Sequence, residues 1–85
     1  YRLVNILKKA IVSFPENIDF ILQYSDSLSE INKKEDSYNI VSINANKLKS
    51  SSLYYKAGVI LYNNKDFTNA RLNFEKAREL VDEEK

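Results

Sequence analysis

Residues 54–61, YYKAGVIL, decide the fold of this chain. Ala57 and Gly58 lie three and four positions after Tyr54, so all three share one helical face, and Leu61 lies one turn further along it. Gly inside a helix costs about 1 kcal/mol relative to Ala, so Gly58 needs a packing reason. We expect another helix to approach closely at this notch of small side chains.

The residues after this stretch predict a turn and then a second helix. Residues 63–66, NNKD, favour turns and caps, and Asp66 can cap a helix that begins at Phe67. Small or apolar side chains recur in that helix at three- and four-residue steps, at Ala70, Phe74, Ala77 and Val81. We therefore expect an antiparallel helical hairpin in which Phe74 fills the notch at Gly58.

This arrangement resembles the tetratricopeptide repeat, whose pattern of about 34 residues has W-x2-L-G-x2-Y, then A-x3-F, then P. Three residues match the pattern outright: Gly58, Ala70 and Phe74. Others depart from it: Tyr54 stands in place of Trp, Ala57 of Leu, Leu61 of Tyr and Asp82 of the closing Pro. The match covers residues 51–84, and the missing Pro predicts a last helix that runs on or frays.

The same pattern recurs upstream more faintly. Ile21, Tyr24, Ser25 and Leu28 lie 33 residues before Tyr54, Ala57, Gly58 and Leu61, and Lys34, Ser37 and Val41 lie 33 before Phe67, Ala70 and Phe74. Leu3, Leu7, Ala10 and Pro15 lie 34 residues before Ser37, Val41, Asn44 and Lys49. We attribute the change from 34 to 33 to a one-residue deletion in a loop predicted at residues 49–52.

The sequence therefore predicts an all-α fold of about five helices, at 1–13, 17–31, 35–48, 52–63 and 67–82. The resemblance implies that antiparallel hairpins stack as a short right-handed solenoid of about two and a half repeats in one domain, 1–85. Its parts are the second helix of a partial repeat at 1–15, a repeat at 17–49 and a repeat at 51–84.

A start in mid-repeat predicts that the chain is a fragment of a longer protein. Solenoid repeats bury their apolar faces only against neighbours, and three or more are usually needed for stability. We expect the first helix to act as a cap, with Leu3, Leu7 and Ala10 against the helix that begins at Asn17. The alternative is a homodimer, in which a second copy of the chain covers the unpaired repeat ends.

Composition argues against several classes of protein. With 44% hydrophobic and 29% charged residues, the chain is too apolar for disorder, and it lacks the long apolar run of a membrane span. It has no His and no Cys, which excludes the Ser-His-Asp and Cys-His arrangements and removes the main zinc ligands. A single Gly excludes a phosphate-binding glycine loop. We expect no enzyme activity, no cofactor and no metal, and interpret Asp26 and Glu30, four residues apart, as solvated charges.

Nucleic-acid binding is also disfavoured, although related helical repeats bind RNA. The formal charge is only +1, and the basic residues are dispersed. The last helix places Arg71, Glu75, Arg78 and Asp82 in alternating sign at three- and four-residue steps. This pattern is typical of a solvated, self-paired face.

The remaining class is protein or peptide binding, which the resemblance also implies. In tetratricopeptide repeats the first helices of successive hairpins line a concave groove that receives a partner segment. The residues matching that face are Asp19, Leu22, Asp26 and Ser29 on one helix and Ser52, Tyr55, Val59 and Tyr62 on the other. Tyr55 and Tyr62 are the most suggestive, because an exposed aromatic ring offers a large contact area with few rotamers to freeze. The alternative is that both rings pack onto the adjacent hairpin.

One subtype of partner is not expected. Family members that hold the acidic C-terminal peptide of chaperones use Lys, Asn and Arg, whereas the matching places on the earlier helix here are Leu22 and Asp26. We expect a partner that is neutral, apolar or basic near Asp19 and Asp26. The other function left open is a structural or oligomerisation element whose groove packs against another copy or another domain. The sequence indicates no compartment.

Overall fold

The computed structural model describes residues 2–83, which form five α-helices. Their bounds are Arg2–Ser13 for α1, Ile18–Glu30 for α2, Lys34–Leu48 for α3, Ser51–Asn63 for α4 and Phe67–Glu83 for α5. The all-α prediction is confirmed, and these bounds agree with the predicted helices within a residue or so. Residues 1, 84 and 85 of the predicted segments lie outside the described part.

The helix starts follow from side-chain caps. Asn17 accepts a hydrogen bond from the Phe20 backbone N–H at 3.0 Å, which begins α2 as predicted. The Asp66 carboxylate accepts one from the Asn69 N–H at 3.4 Å and so supports the start of α5. Such caps satisfy backbone donors that have no partner inside the helix.

The predicted loop at 49–52 is wrong in its extent. Only Lys49 and Ser50 separate α3 from α4, because Ser51 and Ser52 already belong to α4. Lys49 takes a left-handed conformation with φ of 50°, and the Ser50 side chain accepts a hydrogen bond from the Leu53 N–H at 3.3 Å. A left-handed residue followed by a serine cap reverses the chain within two residues.

The turns inside the two hairpins, α2–α3 and α4–α5, repeat the same backbone geometry. The Lys33 N–H donates to the Leu28 carbonyl at 2.8 Å, and 33 residues later the Asp66 N–H donates to the Leu61 carbonyl at 2.9 Å. The left-handed residues of these turns are Asn32, with φ of 64°, and Lys65, with φ of 66°. The offset seen in the sequence is therefore present in the backbone of both turns.

Each helix packs against the next one along the chain, and α2 also contacts α4. The core is one cluster of buried side chains from three helices: Ile21, Val41, Ala45, Leu53, Ala57 and Ile60. Helix α4 supplies three of these residues and so covers the pair α2–α3. Full burial of a large aliphatic side chain stabilises a fold by about 1.5–3 kcal/mol, so this cluster is the main link between the hairpins.

The second hairpin packs as predicted at Gly58. Gly58 is buried, and a Cβ atom built on it would come within 2.6 Å of the Phe74 ring, so only the absence of a side chain admits that ring. In the first hairpin the equivalent positions carry Ser25, which is larger than Gly58, and Val41, which is smaller than Phe74. The two hairpins thus fill the same space with different pairs.

A hydrogen-bonded serine cluster closes the first hairpin. The Ser37 hydroxyl donates to the Ser25 carbonyl at 2.8 Å, and its oxygen lies 2.7 Å from the Ser25 hydroxyl and 3.0 Å from that of Ser29. Ser25 and Ser37 are fully buried. Burying hydroxyl groups is tolerated only when they have partners.

Replacing Ser37 with Ala is expected to lower the free energy of unfolding by about 1–3 kcal/mol, because the buried Ser25 hydroxyl then loses its partner. The double variant S25A/S37A is expected to lose less than the sum of the two single variants, since it leaves neither hydroxyl unpaired. Urea unfolding of the three variants measures these differences. Strictly additive losses would show that the two hydroxyls are not coupled.

Helix α1 packs less completely than predicted. It contacts α2, with Leu7 buried and Ala10 partly buried. Leu3 is 55% exposed, so its predicted packing against α2 is wrong. Among the described residues, α1 contacts no helix other than α2, so only one neighbour is available to cover its apolar side chains.

Candidate functional site

The first helices of the two hairpins, α2 and α4, border two adjoining cavities, here called the groove. One cavity, of about 420 Å³, has polar and apolar surface in about equal parts. It is here called the polar cavity because most of its lining residues are polar or charged: Asp26, Ser29, Glu30, Lys34, Lys56, Val59, Ile60, Asn63 and Asn64. The other, of about 460 Å³, is more apolar and is lined by Leu22, Ser51, Ser52, Tyr55, Lys56, Val59, Ala77 and Val81. Lys56 and Val59 border both cavities, so the two cavities are neighbours.

Six of the eight predicted groove residues line these cavities. They are Leu22, Asp26, Ser29, Ser52, Tyr55 and Val59. Asp19 and Tyr62 border neither cavity. Asp19 lies exposed in the first turn of α2, and the Tyr62 ring packs against Phe67 with centroids 5.1 Å apart. The structure therefore brings together most of the predicted set, and it places these two residues outside it.

Tyr55 combines exposure with support from behind. It is 60% exposed, yet its ring lies 5.3 Å from the Phe74 ring in a tilted arrangement. An aromatic pair of this kind contributes about 0.5–1.5 kcal/mol beyond its buried area and limits the positions open to the ring. Tyr55 is thus held in place while much of its surface faces the groove. The aromatic partner of Tyr55 belongs to α5 of its own hairpin.

An ion pair crosses the groove. Lys56 of α4 donates to the Asp26 carboxylate of α2, and the lysine side chain is only 27% exposed. Lys56 was not among the predicted site residues. The 33-residue offset places Val59 at the position equivalent to Asp26, and Lys56 lies one helical turn before Val59. The offset and the helical period together could therefore have identified Lys56 as a neighbour of Asp26.

This ion pair changes the expected electrostatics of the groove. Asp26 was predicted to repel a carboxylate, but its charge is paired with Lys56. The polar cavity also holds Glu30 and Lys34, so its two acidic and two basic side chains balance. An acidic partner is therefore not opposed by an unpaired negative charge at Asp26. The remaining acid, Asp19, lies outside both cavities.

The described residues lack metal-ligand clusters, helices that could span a membrane and unpaired buried polar atoms. Between residues 2 and 82, no three His, Cys, Asp or Glu side chains cluster so that they could hold a metal ion. Over the same range no helix is both long and apolar enough to cross a membrane, and no buried side-chain nitrogen or oxygen lacks a hydrogen-bond partner. Comparisons of the chain with protein-family models, curated proteins and solved structures found no match.

Proposed function

We propose that this chain is a non-catalytic protein-interaction module that takes a partner peptide or helix into the groove between α2 and α4. The observation that carries the proposal is the pair of adjoining cavities between the first helices of two hairpins, lined at two pairs of equivalent positions, Leu22 with Tyr55 and Asp26 with Val59. The repeated hairpin turns support a stack of the tetratricopeptide type, in which that groove is the concave surface. Right-handed stacking of about two and a half repeats belongs to the same proposal.

The chemistry of the groove indicates the kind of segment that fits. The apolar cavity offers Leu22, Tyr55 and Val59 to an apolar anchor side chain of the partner. The neighbouring polar cavity is balanced in charge and offers hydroxyl, amide and carboxylate groups for hydrogen bonds. A peptide with one apolar anchor followed by uncharged polar residues matches both cavities. Specificity comes from the polar cavity, because leaving a buried polar group without a hydrogen-bond partner costs more binding free energy than a poorly fitting apolar contact does.

The groove of this chain lacks the excess of basic groups that a carboxylate clamp has. A clamp for an acidic C-terminus needs an excess of basic groups, whereas Lys34 and Lys56 share their cavity with Asp26 and Glu30. We therefore keep the proposal that an acidic chaperone-type terminus is not the partner. The reason is no longer repulsion by Asp26, which is paired with Lys56, but the lack of net positive charge in the polar cavity.

The proposal is tested with peptides selected from a random library on the wild-type chain and then measured by fluorescence anisotropy. Tyr55→Ala is expected to weaken binding about tenfold or more, or at least about 1.4 kcal/mol, because the anchor loses the ring that lines the apolar cavity. Circular dichroism establishes that the variant stays helical.

Tyr62→Ala is the matched control. Tyr62 lies on the same helix with nearly the same exposure as Tyr55, and its ring also packs against one aromatic ring of α5, but it borders neither cavity. Its removal is expected to change the affinity less than about threefold. Equal losses for Tyr55→Ala and Tyr62→Ala, or no loss for either, would place the binding surface outside the groove.

A second candidate is a structural or oligomerisation element, favoured by the apolar side chains that α1 leaves uncovered. Leu3 and Ile6 are both more than half exposed on this helix. Light scattering across a range of protein concentrations separates the candidates. A recognition module stays monomeric when dilute, whereas an oligomerisation element gains mass as concentration rises.

A further inference from the structure

The outer side of the α2–α3 hairpin is covered by α4. Val41 and Ala45 are fully buried there in one cluster with the α4 residues Leu53, Ala57 and Ile60. Partly buried hydrophobic side chains of the same hairpin pack against this cluster, among them Leu22, Tyr38 and Leu48. The chain itself therefore shows how a hairpin of this kind is covered, namely by a helix with a large, a small and a large side chain at i, i+4 and i+7.

The equivalent side of the α4–α5 hairpin has no such cover among the described residues. Adding 33 to the covered positions gives Tyr55, Arg71, Phe74, Arg78 and Val81, here called the end face. Tyr55 is 60% exposed and Val81 is 43% exposed, although their counterparts in the first hairpin, Leu22 and Leu48, pack against the core. The end face thus exposes apolar side chains between two arginines, and no helix among the described residues covers it as α4 covers its counterpart.

The end face continues an interface that the structure already contains. Helix α4 covers the first hairpin with one side and contributes Tyr55 to the end face with another. Tyr55 and Val81 also line the apolar cavity of the groove. A helix on the end face would therefore extend the existing stack by one layer.

The charges on the end face restrict what can cover it. Arg71 and Arg78 occupy the places of Tyr38 and the fully buried Ala45, so two arginines replace uncharged side chains. Arg71 forms an ion pair with Glu75 at 3.5 Å, and both side chains are more than half exposed. Covering an arginine without a counter-charge is unfavourable, whereas carboxylates placed opposite it bind through charge-assisted hydrogen bonds.

The basic helix α1 of a second copy does not meet this requirement. It carries Arg2, Lys8 and Lys9 and no acidic residue, so its charge has the same sign as the two arginines. Like charges brought together across an interface oppose docking. The end face therefore fits a partner other than α1 of this chain.

We propose that the end face docks an amphipathic helix of a partner protein that carries an apolar stripe at i, i+4 and i+7 and carboxylates on one flank. Arg71 and Arg78 are seven residues, or two helical turns, apart on α5, so the matching carboxylates are also two turns apart. The apolar stripe covers Tyr55, Phe74 and Val81 as α4 covers the first hairpin. This surface does not include the polar cavity of the groove, but it shares Tyr55 and Val81 with the apolar cavity, so a helix on the end face competes with an anchor side chain in that cavity.

The probe is a synthetic stapled helix with Leu, Ala and Ile at i, i+4 and i+7 and two Glu residues on one flank, two turns apart. A second peptide replaces both Glu residues with Lys. Isothermal titration calorimetry on the wild-type chain is expected to show at least about tenfold tighter binding of the Glu peptide. Higher salt narrows the difference, because the flanking charges are partly exposed.

The matched variants are R71E/R78E on the end face and K65E/K76E away from it. The first is expected to reverse the preference, so that the Lys peptide binds more tightly, and a reversal cannot arise from simple unfolding. The second changes net charge equally and is expected to keep the wild-type preference. Peptides that bind equally well, or a preference unaffected by R71E/R78E, would overturn the proposal. Concentration-dependent dimers abolished by R71E/R78E would overturn it too, because a second copy would then be the occupant.

Discussion

Replacing Ile21 with Ala is expected to lower the free energy of unfolding by about 2–5 kcal/mol, the range for aliphatic residues in closed cores. Ile21 is fully buried in the cluster that joins the two hairpins. The loss combines the transfer of the removed methyl groups with a cavity that three helices cannot close. A domain of this size has a total stability of about 4–13 kcal/mol, so the loss is a large share of it. Urea unfolding followed by circular dichroism measures it.

Ile43→Ala is the matched control for this prediction. Ile43 is 65% exposed on α3, so the same change of side chain is expected to alter stability by less than about 0.5 kcal/mol. A similar loss at both positions would mean that the cluster centred on Ile21 does not hold the hairpins together. The comparison isolates burial, since residue type and helical setting are alike.

Replacing Gly58 with Ser is the second prediction with a large effect, an expected loss of about 1–3 kcal/mol. Most residues other than Pro raise helix propensity relative to Gly, so local preference alone would predict a gain of a few tenths of a kcal/mol. Packing opposes that gain, because any Cβ atom at this position meets the Phe74 ring at about 2.6 Å. Thermal unfolding decides which effect is larger.

A second substitution tests whether that clash is the cause. Phe74→Val in the G58S background recreates the Ser25 and Val41 pair of the first hairpin and is expected to recover part of the stability. Phe74→Val alone is expected to lower the free energy of unfolding by about half as much as the same change at a fully buried Phe, because Phe74 is only partly buried. If the double variant is less stable than both single variants, the clash between positions 58 and 74 is not the cause.

Helix positions and the Gly58 notch could be predicted because they depend on local rules. Caps such as Asn17 and Asp66 and the helical spacing of apolar residues are readable from neighbouring residues alone. The repeat offset extended this reading to the turns, where Asn32 and Lys65 share one conformation. The loop at 49–52 was placed from a change of offset between repeats, and an offset does not indicate how tightly the chain turns.

The groove could be predicted only in part because its residues depend on several helices. Helical spacing put Tyr62 on the same face as Tyr55, but contact with Phe67 at the start of α5 places its ring outside the cavities. Lys56 was missed because a long flexible side chain reaches partners that spacing alone does not show. Leu3 was misplaced for the opposite reason, since periodicity gives a helix face but not whether a neighbour covers it.

The groove is tested most directly by one nuclear magnetic resonance titration of the labelled chain with a library-selected peptide. We predict that the largest amide shifts fall on the groove-lining residues Leu22, Asp26, Ser29, Ser52, Tyr55 and Val59. Smaller shifts are expected at Asp19 and Tyr62, which lie outside the cavities. Shifts confined to α1, or to Tyr24 and Ile43 in the cavity between α1 and α3, would contradict groove binding.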